Sequence, residues 1–301
     1  MPVRVTQGMM NTQLLSNINK NIKKMDREQA MLSTGRRINV PSDDPVGITY
    51  AMRYRTELGA NAQYQRNVDT AVSNLEYLDT MLGQAGDVLQ KVRELAVKGA
   101  TGSNPQTAMD AIKVEVEELY KQLLDIGNSK FKGKFVFNGQ LTDKAPYTAT
   151  NAVNEATDNG VIRFEVGAGI MLPVNITGNQ AFGDPTDPLV TDAMFKVVDD
   201  LVTNLGAGNY TAVSNAIDSI DTRMEKLLEM RAEIGARTNR IEFIENRLDD
   251  ISINLESLQS KTEDADMAEV ITKLKMSENV YQSSLSVGAK LIQSSLIDFI
   301  R

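Results

Sequence analysis

Two short acidic clusters are the residues of this sequence best suited to chemistry. One is Ser-Asp-Asp at 42–44, which lies between two prolines, and the other is Glu-Asp-Ala-Asp at 263–266. Grouped carboxylates can bind a divalent cation, but neither cluster has the spacing of a calcium loop. Short polar and acidic residues also cap the free N–H groups of a helix start and complement its dipole. We therefore interpret both clusters as helix starts and predict no metal and no cofactor.

The residue types that are absent exclude several kinds of catalysis. The 301 residues include no His and no Cys, which excludes an imidazole base, a thiol nucleophile and a thiolate zinc site. An enzyme using a Ser, Lys or carboxylate pair stays open as an alternative, but no such pair stands out, and we predict that the protein is not an enzyme. The net charge of -8 argues against nucleic-acid binding. No apolar stretch approaches about 18 residues, so we predict no membrane insertion.

Apolar residues repeat about every 3.5 residues over much of the chain, which is the period of a helical coiled coil. We predict helices over about residues 6–33, 46–98, 106–128, 192–258 and 264–300. Prolines, glycines and short polar residues separate these segments, as expected at helix ends.

The pattern changes in the middle of the chain. Apolar and polar residues alternate over about 162–166 and again over 170–176, which predicts two β-strands. Gly-Ala-Gly at 167–169 separates them and predicts a hairpin. The flanking segments are rich in turn residues.

These patterns predict a mainly α protein: a long antiparallel helical coiled-coil bundle formed by both chain ends, with a small central β-rich insertion domain. The predicted parts are terminal coiled-coil arms (1–45 and 259–301), a helical bundle (46–130 and 190–258) and the insertion (131–189). Residues 1–40 contain seven basic and two acidic residues, a net charge of +5, whereas residues 241–301 contain six basic and eleven acidic residues, a net charge of -5. This complementarity favours pairing of the two ends.

The apolar stripes of the two terminal segments have no further chain beyond them to pack on. Terminal segments fray unless something holds them, so we predict that another molecule covers these stripes. The predicted assembly interface consists of ten residues: Leu15, Ile18, Ile22, Met25, Leu32, Ile271, Leu274, Leu285, Ile292 and Leu296.

Several motifs, in the same order along the chain, resemble the bacterial flagellin family. They are residues 4–9, 32–39, 41–45 and 89–97 in the N-terminal part and residues 235–240, 263–268 and 294–301 in the C-terminal part. Pro-Ser-Asp-Asp-Pro at 41–45, Lys-Phe-Val-Phe-Asn-Gly at 134–139 and the last eight residues are most similar to the hook-associated branch of that family. Members of this branch join the flagellar hook to the filament.

The resemblance implies a structural protein that leaves the cell through the flagellar type III export system without a cleaved signal. Its terminal arms would be disordered in the free subunit and would pair only in the tubular assembly. The implied partners are the first hook-associated protein, filament flagellin, copies of itself in a ring and a flagellar export chaperone. The implied location is the extracellular flagellum after a cytoplasmic stage, whereas composition alone, without an apolar signal peptide, predicts a cytoplasmic protein.

Two further alternatives stay open. The chain also resembles filament flagellin itself, and its stripes also fit a soluble coiled-coil module that binds one partner in the cytoplasm.

Overall fold

The computed structural model describes the backbone of residues 7–102 and 104–299 and the side chains of residues 8–102 and 104–290. The helices are α1 (Gln7–Thr34), α2 (Pro45–Gly99), α3 (Gln106–Gly127), α4 (Gly178–Phe182), α5 (Met194–Gly206), α6 (Tyr210–Glu263) and α7 (Met267–Phe299). Two antiparallel hairpins, β1 (Lys130–Phe131) with β2 (Lys134–Phe135) and β3 (Arg163–Gly167) with β4 (Ile170–Pro173), are the strands of this part of the chain. The mainly α fold predicted from the sequence is confirmed.

The predicted hairpin forms, but its second strand is shorter than the alternating pattern. β4 ends at Pro173, and one further backbone hydrogen bond follows it, from Val174 N–H to the Ile162 carbonyl at 3.0 Å. Beyond it the Asn175 side chain accepts a hydrogen bond from Ile162 N–H at 2.9 Å and donates one to the Gly160 carbonyl at 2.9 Å. A side chain thus continues the pairing beyond the strand, and residues 174–177 are all buried instead of alternating.

The chain divides into two units, of which the first comprises residues 1–60 and 251–301 and the second residues 61–250. Both divisions fall inside helices, in α2 and α6, where the sequence shows no break. The three-part division into arms, bundle and insertion therefore stays a prediction.

The second unit has a continuous apolar core. The heptad stripe of α2, including Leu75, Leu82 and Leu89, is buried there together with residues of α3, α5 and α6. Four aromatic rings extend this core into the insertion, with centroids 4.5–5.8 Å apart: Phe137, Tyr147, Phe182 and Phe195. These rings join the helical core to the irregular segments of the insertion.

A buried ion pair fixes the segment that leads into α5. The Arg223 guanidinium contacts the Asp192 carboxylate at 2.8 Å and also donates to the Asp192 carbonyl at 2.9 Å. Burial lowers the pKa of Arg223, and the charge of Asp192 opposes this change. Both side chains are 3% exposed. Removing Asp192 would leave Arg223 as an uncompensated buried charge, whereas Asp192 also contacts the Lys226 ammonium at 3.0 Å.

Candidate assembly interface

The two ends of the described chain are joined by a short backbone bridge in the first unit. Arg37 N–H donates to the Glu263 carbonyl at 2.6 Å, and Ala265 N–H donates to the Gly35 carbonyl at 3.0 Å. Gly35 ends α1 with a φ of +71°, a left-handed conformation that glycine adopts without steric cost. The end of α1 is therefore held against the break between α6 and α7.

The carboxylate of Glu263 lies at this bridge and is only 1% exposed. Arg55 donates to it in a fork, with its Nε at 2.8 Å, and the Nε of Arg36 lies 3.5 Å away. Arg37 donates to the neighbouring Thr262 carbonyl at 2.9 Å. The hydrogen bond to Glu263 raises the pKa of the Arg55 guanidinium. Three arginines thus converge on one buried carboxylate and on the peptide before it.

The turn between the two prolines is organised by Asp43. Its Oδ2 accepts hydrogen bonds from Asn39 N–H at 3.0 Å and from Val40 N–H at 3.1 Å, and its Oδ1 lies 3.2 Å from the Arg27 guanidinium. Desolvation by burial acts to raise the pKa of Asp43, but the two backbone hydrogen bonds and the charge of Arg27 together hold it below its ordinary value. The carboxylate therefore acts as a turn acceptor.

Both acidic clusters provide helix caps, but the cap of α2 is Asp44, whereas the sequence pattern favours Ser42 or Asp43. Asp44 Oδ1 accepts from Val46 N–H at 3.2 Å and Gly47 N–H at 2.9 Å at the start of α2. Asp266 Oδ1 accepts from two amides in the first turn of α7, at 3.0 and 3.2 Å. In the described part of the chain, no three His, Cys, Asp or Glu side chains are placed to hold a metal ion, and no helix is long and apolar enough to cross a membrane.

α1 and α7 pack against each other in opposite directions, through faces with heptad spacing. The least exposed residues of α1 recur in steps of three and four: Leu14, Ile18, Asn21, Met25, Glu28 and Leu32. Those of α7 do the same: Val270, Leu274, Ser277, Tyr281, Ser284 and Gly288. We call these two faces together the arm seam.

The arm seam is unusually polar for a coiled coil. Glu28 and Ser277 are each 5% exposed, and one oxygen of each, Glu28 Oε2 and Ser277 Oγ, has no hydrogen-bond partner. Within the described part of the chain, Glu28 forms one ion pair, with Lys24 at 3.9 Å. Leaving a buried polar group unsatisfied costs about 1–3 kcal/mol. The pairing of α1 with α7 is therefore weaker than its helix lengths indicate.

The residues predicted for assembly fall into three groups. Ile18, Met25, Leu32 and Leu274 lie in the arm seam and are partly buried. Leu15, Ile22, Ile271 and Leu285 are exposed, with Leu15 at 61% and Leu285 at 45%. The side chains of Ile292 and Leu296 lie outside the described residues.

The four exposed members share one heptad position. Each directly follows a residue of the arm seam, and Leu15 and Ile22 are one heptad apart, whereas Ile271 and Leu285 are two heptads apart. In an antiparallel helix pair these equivalent positions lie on the same side of the seam. The pair thus presents an apolar stripe that the chain itself leaves uncovered, which we call the outer stripe.

Sequence reasoning missed a second set of exposed apolar residues in α7. Met276, Val280 and Val287 are 49–62% exposed and precede the seam positions instead of following them. A heptad pattern identifies the strongest apolar stripe and not the positions beside it. These residues therefore do not stand out in the sequence from ordinary surface residues of a helix. They show that α7 is apolar on both sides of the arm seam.

Comparison with known proteins gives two family matches. The model for the bacterial flagellin N-terminal helical region matches residues 5–142, and that for the bacterial flagellin C-terminal helical region matches residues 217–300. These two ranges include both halves of the arm seam, the Glu263 bridge and the turn at Asp43.

Curated relatives match along nearly the whole chain. A flagellar filament 30.7 kDa core protein from Treponema maltophilum is 26% identical over 94% of this chain and 90% of its own length. The flagellar hook-associated protein 3 of Salmonella typhimurium is 22% identical over 99% of this chain and 100% of its own length.

Solved structures share the fold. A putative flagellar hook-associated protein from Vibrio parahaemolyticus aligns with a TM-score of 0.68, at 21% identity, over 74% of this chain and 100% of that chain. Flagellar hook-associated protein 3 from Legionella pneumophila aligns with a TM-score of 0.62, at 15% identity, over 70% of this chain and 98% of that chain.

Proposed function

The chain belongs to the bacterial flagellin family, and we propose that it is the structural adaptor that joins the flagellar hook to the flagellin filament. A structural role in the flagellum follows from the family and its relatives. The finer assignment, to the junction between hook and filament, is our proposal. It assigns no catalytic step to any residue.

The observation that carries the proposal is the end-to-end match with hook-associated protein 3 of Salmonella typhimurium, which covers 99% of this chain and all of that protein. The fold shared with the Vibrio and Legionella proteins supports it. The match to the Treponema filament core protein favours filament flagellin as the second candidate.

The mechanism that we propose is mechanical. The outer stripe of one copy is covered by neighbouring copies in a ring. This contact removes apolar surface from water, which stabilises the assembly. The weak arm seam lets α1 and α7 separate before assembly, and the neighbours then stabilise the paired state. Ile292 and Leu296, whose side chains lie outside the described residues, are proposed to continue this interface.

The proposed partners follow from this arrangement. The first hook-associated protein would lie on one side of the ring and filament flagellin on the other. An export chaperone would cover the apolar positions of α7 in the cytoplasm, before type III export to the extracellular flagellum.

A polymerisation assay separates the two candidates. Purified protein is concentrated with a precipitating salt and filament seeds, then examined by sedimentation and electron microscopy. We expect it to stay soluble alone, and to permit flagellin growth on isolated hooks that already carry the first hook-associated protein. Long helical filaments of this protein alone would instead assign it as filament flagellin.

A further inference from the structure

The second unit contains a groove of about 560 Å³ between α2, the β1–β2 hairpin and the β3–β4 hairpin. Leu78, Phe135 and Phe164 give it an apolar lining of buried or half-buried side chains. Three exposed cations, Lys132, Lys134 and Arg163, also line it, and the described lining includes no acidic side chain. This is a local reversal of sign in a chain with a net charge of -8.

Two lysines of the β1–β2 hairpin lie over aromatic rings, and one of them, Lys132, lines the groove. Lys130 Nζ lies 4.4 Å from the centroid of the Phe135 ring, and Lys132 Nζ lies 5.0 Å from that of Phe131. Lys132 and Gly133 both have positive φ angles, of 51° and 82°, which is typical of the two-residue turn of a tight hairpin. The groove is thus prepared for a ligand that combines an apolar side chain with negative charge.

A segment of this same chain has that combination. In residues 184–190, Asp-Pro-Thr-Asp-Pro-Leu-Val, Leu189 is 88% exposed and follows two prolines and two aspartates. Asp184 Oδ1 accepts from Thr186 N–H at 2.9 Å, and Asp187 Oδ1 accepts from Leu189 N–H at 2.9 Å. In the described chain neither aspartate takes part in an ion pair of 4.0 Å or less.

Local hydrogen bonds and prolines therefore present Leu189 outward in a preformed turn. Such a turn loses little conformational entropy when it docks. We call residues 184–190 the acidic knob.

We propose that the acidic knob of one copy docks into the cationic groove of a second copy. The knob's own residues are not among those that line the groove, so the occupant comes from another molecule. Knob and groove are different surfaces, which makes the contact head-to-tail, and head-to-tail contacts generate rings when the rotation closes. This inference names a contact for the ring assembly, and it rests on the proposed function in that respect.

The absence of cysteine in the sequence allows a direct test by disulfide cross-linking of the full chain. A tagged Leu189→Cys variant is mixed at high concentration and low salt with untagged Val161→Cys, whose side chain lines the groove. The control mixture pairs Leu189→Cys with Phe243→Cys, an exposed site on α6. Because a disulfide needs Cβ atoms within about 4.5 Å, we expect the mixed dimer mainly from the first pair.

Charge reversal then tests whether the groove cations hold the knob. Adding Lys134→Glu and Arg163→Glu to the groove variant should lower the cross-linked yield by about tenfold, because two attractions become repulsions. The matched control, Lys98→Glu with Lys196→Glu, makes the same charge change on exposed residues that do not line the groove and should leave the yield unchanged. Added salt should lower the yield of the first pair as the charges are screened.

The inference would be overturned if the groove and control pairs gave equal cross-linked yields. It would also be overturned if the charge reversal in the groove left the yield unchanged. The polymerisation assay remains independent of this result. A knob contact in a protein that grows into long filaments would keep the inference and reject the junction role. A protein that permits flagellin growth on hooks but does not form this cross-link would keep the junction role and reject the inference.

Discussion

At the residue scale, the buried carboxylate of Glu263 does most to define the first unit. It accepts from Arg55 and faces Arg36, while its backbone carbonyl accepts from Arg37. One residue therefore connects the end of α1, the start of α2 and the end of α6. Because the arginines are partly exposed, water screens part of the attraction.

We predict that Glu263→Gln loosens this connection by about 1–2 kcal/mol, less than a fully buried pair because the arginines reach solvent. Amide hydrogen exchange in residues 35–40 and 262–266, followed by mass spectrometry, should quicken by about tenfold. Glu245→Gln, the same change at an exposed site of α6, is the control. Unchanged exchange in both segments would contradict the role given to Glu263.

Asp43 gives a prediction for pH. The folded pKa of Asp43 is lowered, so its stabilising effect is present above the ordinary Asp value of about 3.9 and is lost as the pH falls through the folded pKa. Asp43→Asn should therefore speed amide exchange around residues 39–40 near neutral pH, and the ratio to the wild type should approach one in acid. The exposed variant Asp143→Asn should show no pH-dependent ratio, and a constant ratio for Asp43→Asn would count against the linkage.

At the element scale, the length of a helix does not decide how firmly it pairs. α1 and α7 contain 28 and 33 residues, yet their seam includes Asn21, Glu28 and three small residues, Ser277, Ser284 and Gly288. Gly288 permits close approach, since a Cβ there would lie 2.8 Å from Leu14 Cδ2. The seam has less apolar burial but a closer approach of the two helices, which suits the late pairing that we propose.

We predict that Glu28→Met strengthens the pairing of α1 with α7, by about 1–3 kcal/mol, because it removes an unsatisfied buried oxygen while keeping the side-chain volume. Amide hydrogen exchange of the full-length monomer should show greater protection of the α1 and α7 amides. Gln29→Met, the same new side chain at the neighbouring exposed position, should not raise it. Lower protection in Glu28→Met would show that Glu28 stabilises the seam.

At the scale of the whole molecule, apolar surface is distributed unevenly between the two units. The second unit buries its stripes in a continuous core, whereas the first keeps Leu15, Ile22, Ile271 and Leu285 exposed. Burying one such side chain contributes about 1.5–3 kcal/mol. Because this contribution is repeated over many copies, we expect assembly to depend on the first unit.

We predict that Leu15→Asp with Leu285→Asp abolishes assembly on hooks while the thermal unfolding of the second unit stays within about 0.5 kcal/mol of the wild type, because both sites are surface positions of the first unit. Electron microscopy of hooks and calorimetry would measure the two effects. Ser16→Asp with Asn279→Asp adds the same charges to exposed sites of the same helices and should still assemble. Assembly by the Leu15 and Leu285 variant would reject the outer stripe as the interface.

Much of the fold is local in origin and follows from the sequence. Heptad spacing, prolines and glycines set the ends of α1, α2, α3 and α7 within about one to three residues, because hydrophobic period and breaker residues act over a few turns. The position of the two acidic clusters at helix starts follows for the same reason, since the amides that donate to Asp44 and Asp266 lie two or three residues away. The family resemblance also lies in continuous motifs.

Tertiary structure alone decided which apolar residues are covered. Leu14 and Leu15 are the same residue type one step apart, and only the position of α7 makes one face the seam and leaves the other exposed. Arg55 and Glu263 meet although 208 positions separate them, and the groove combines α2 with two hairpins. Partners this distant in sequence leave no periodic signal, because their contact depends on the path of the whole chain and not on any local spacing.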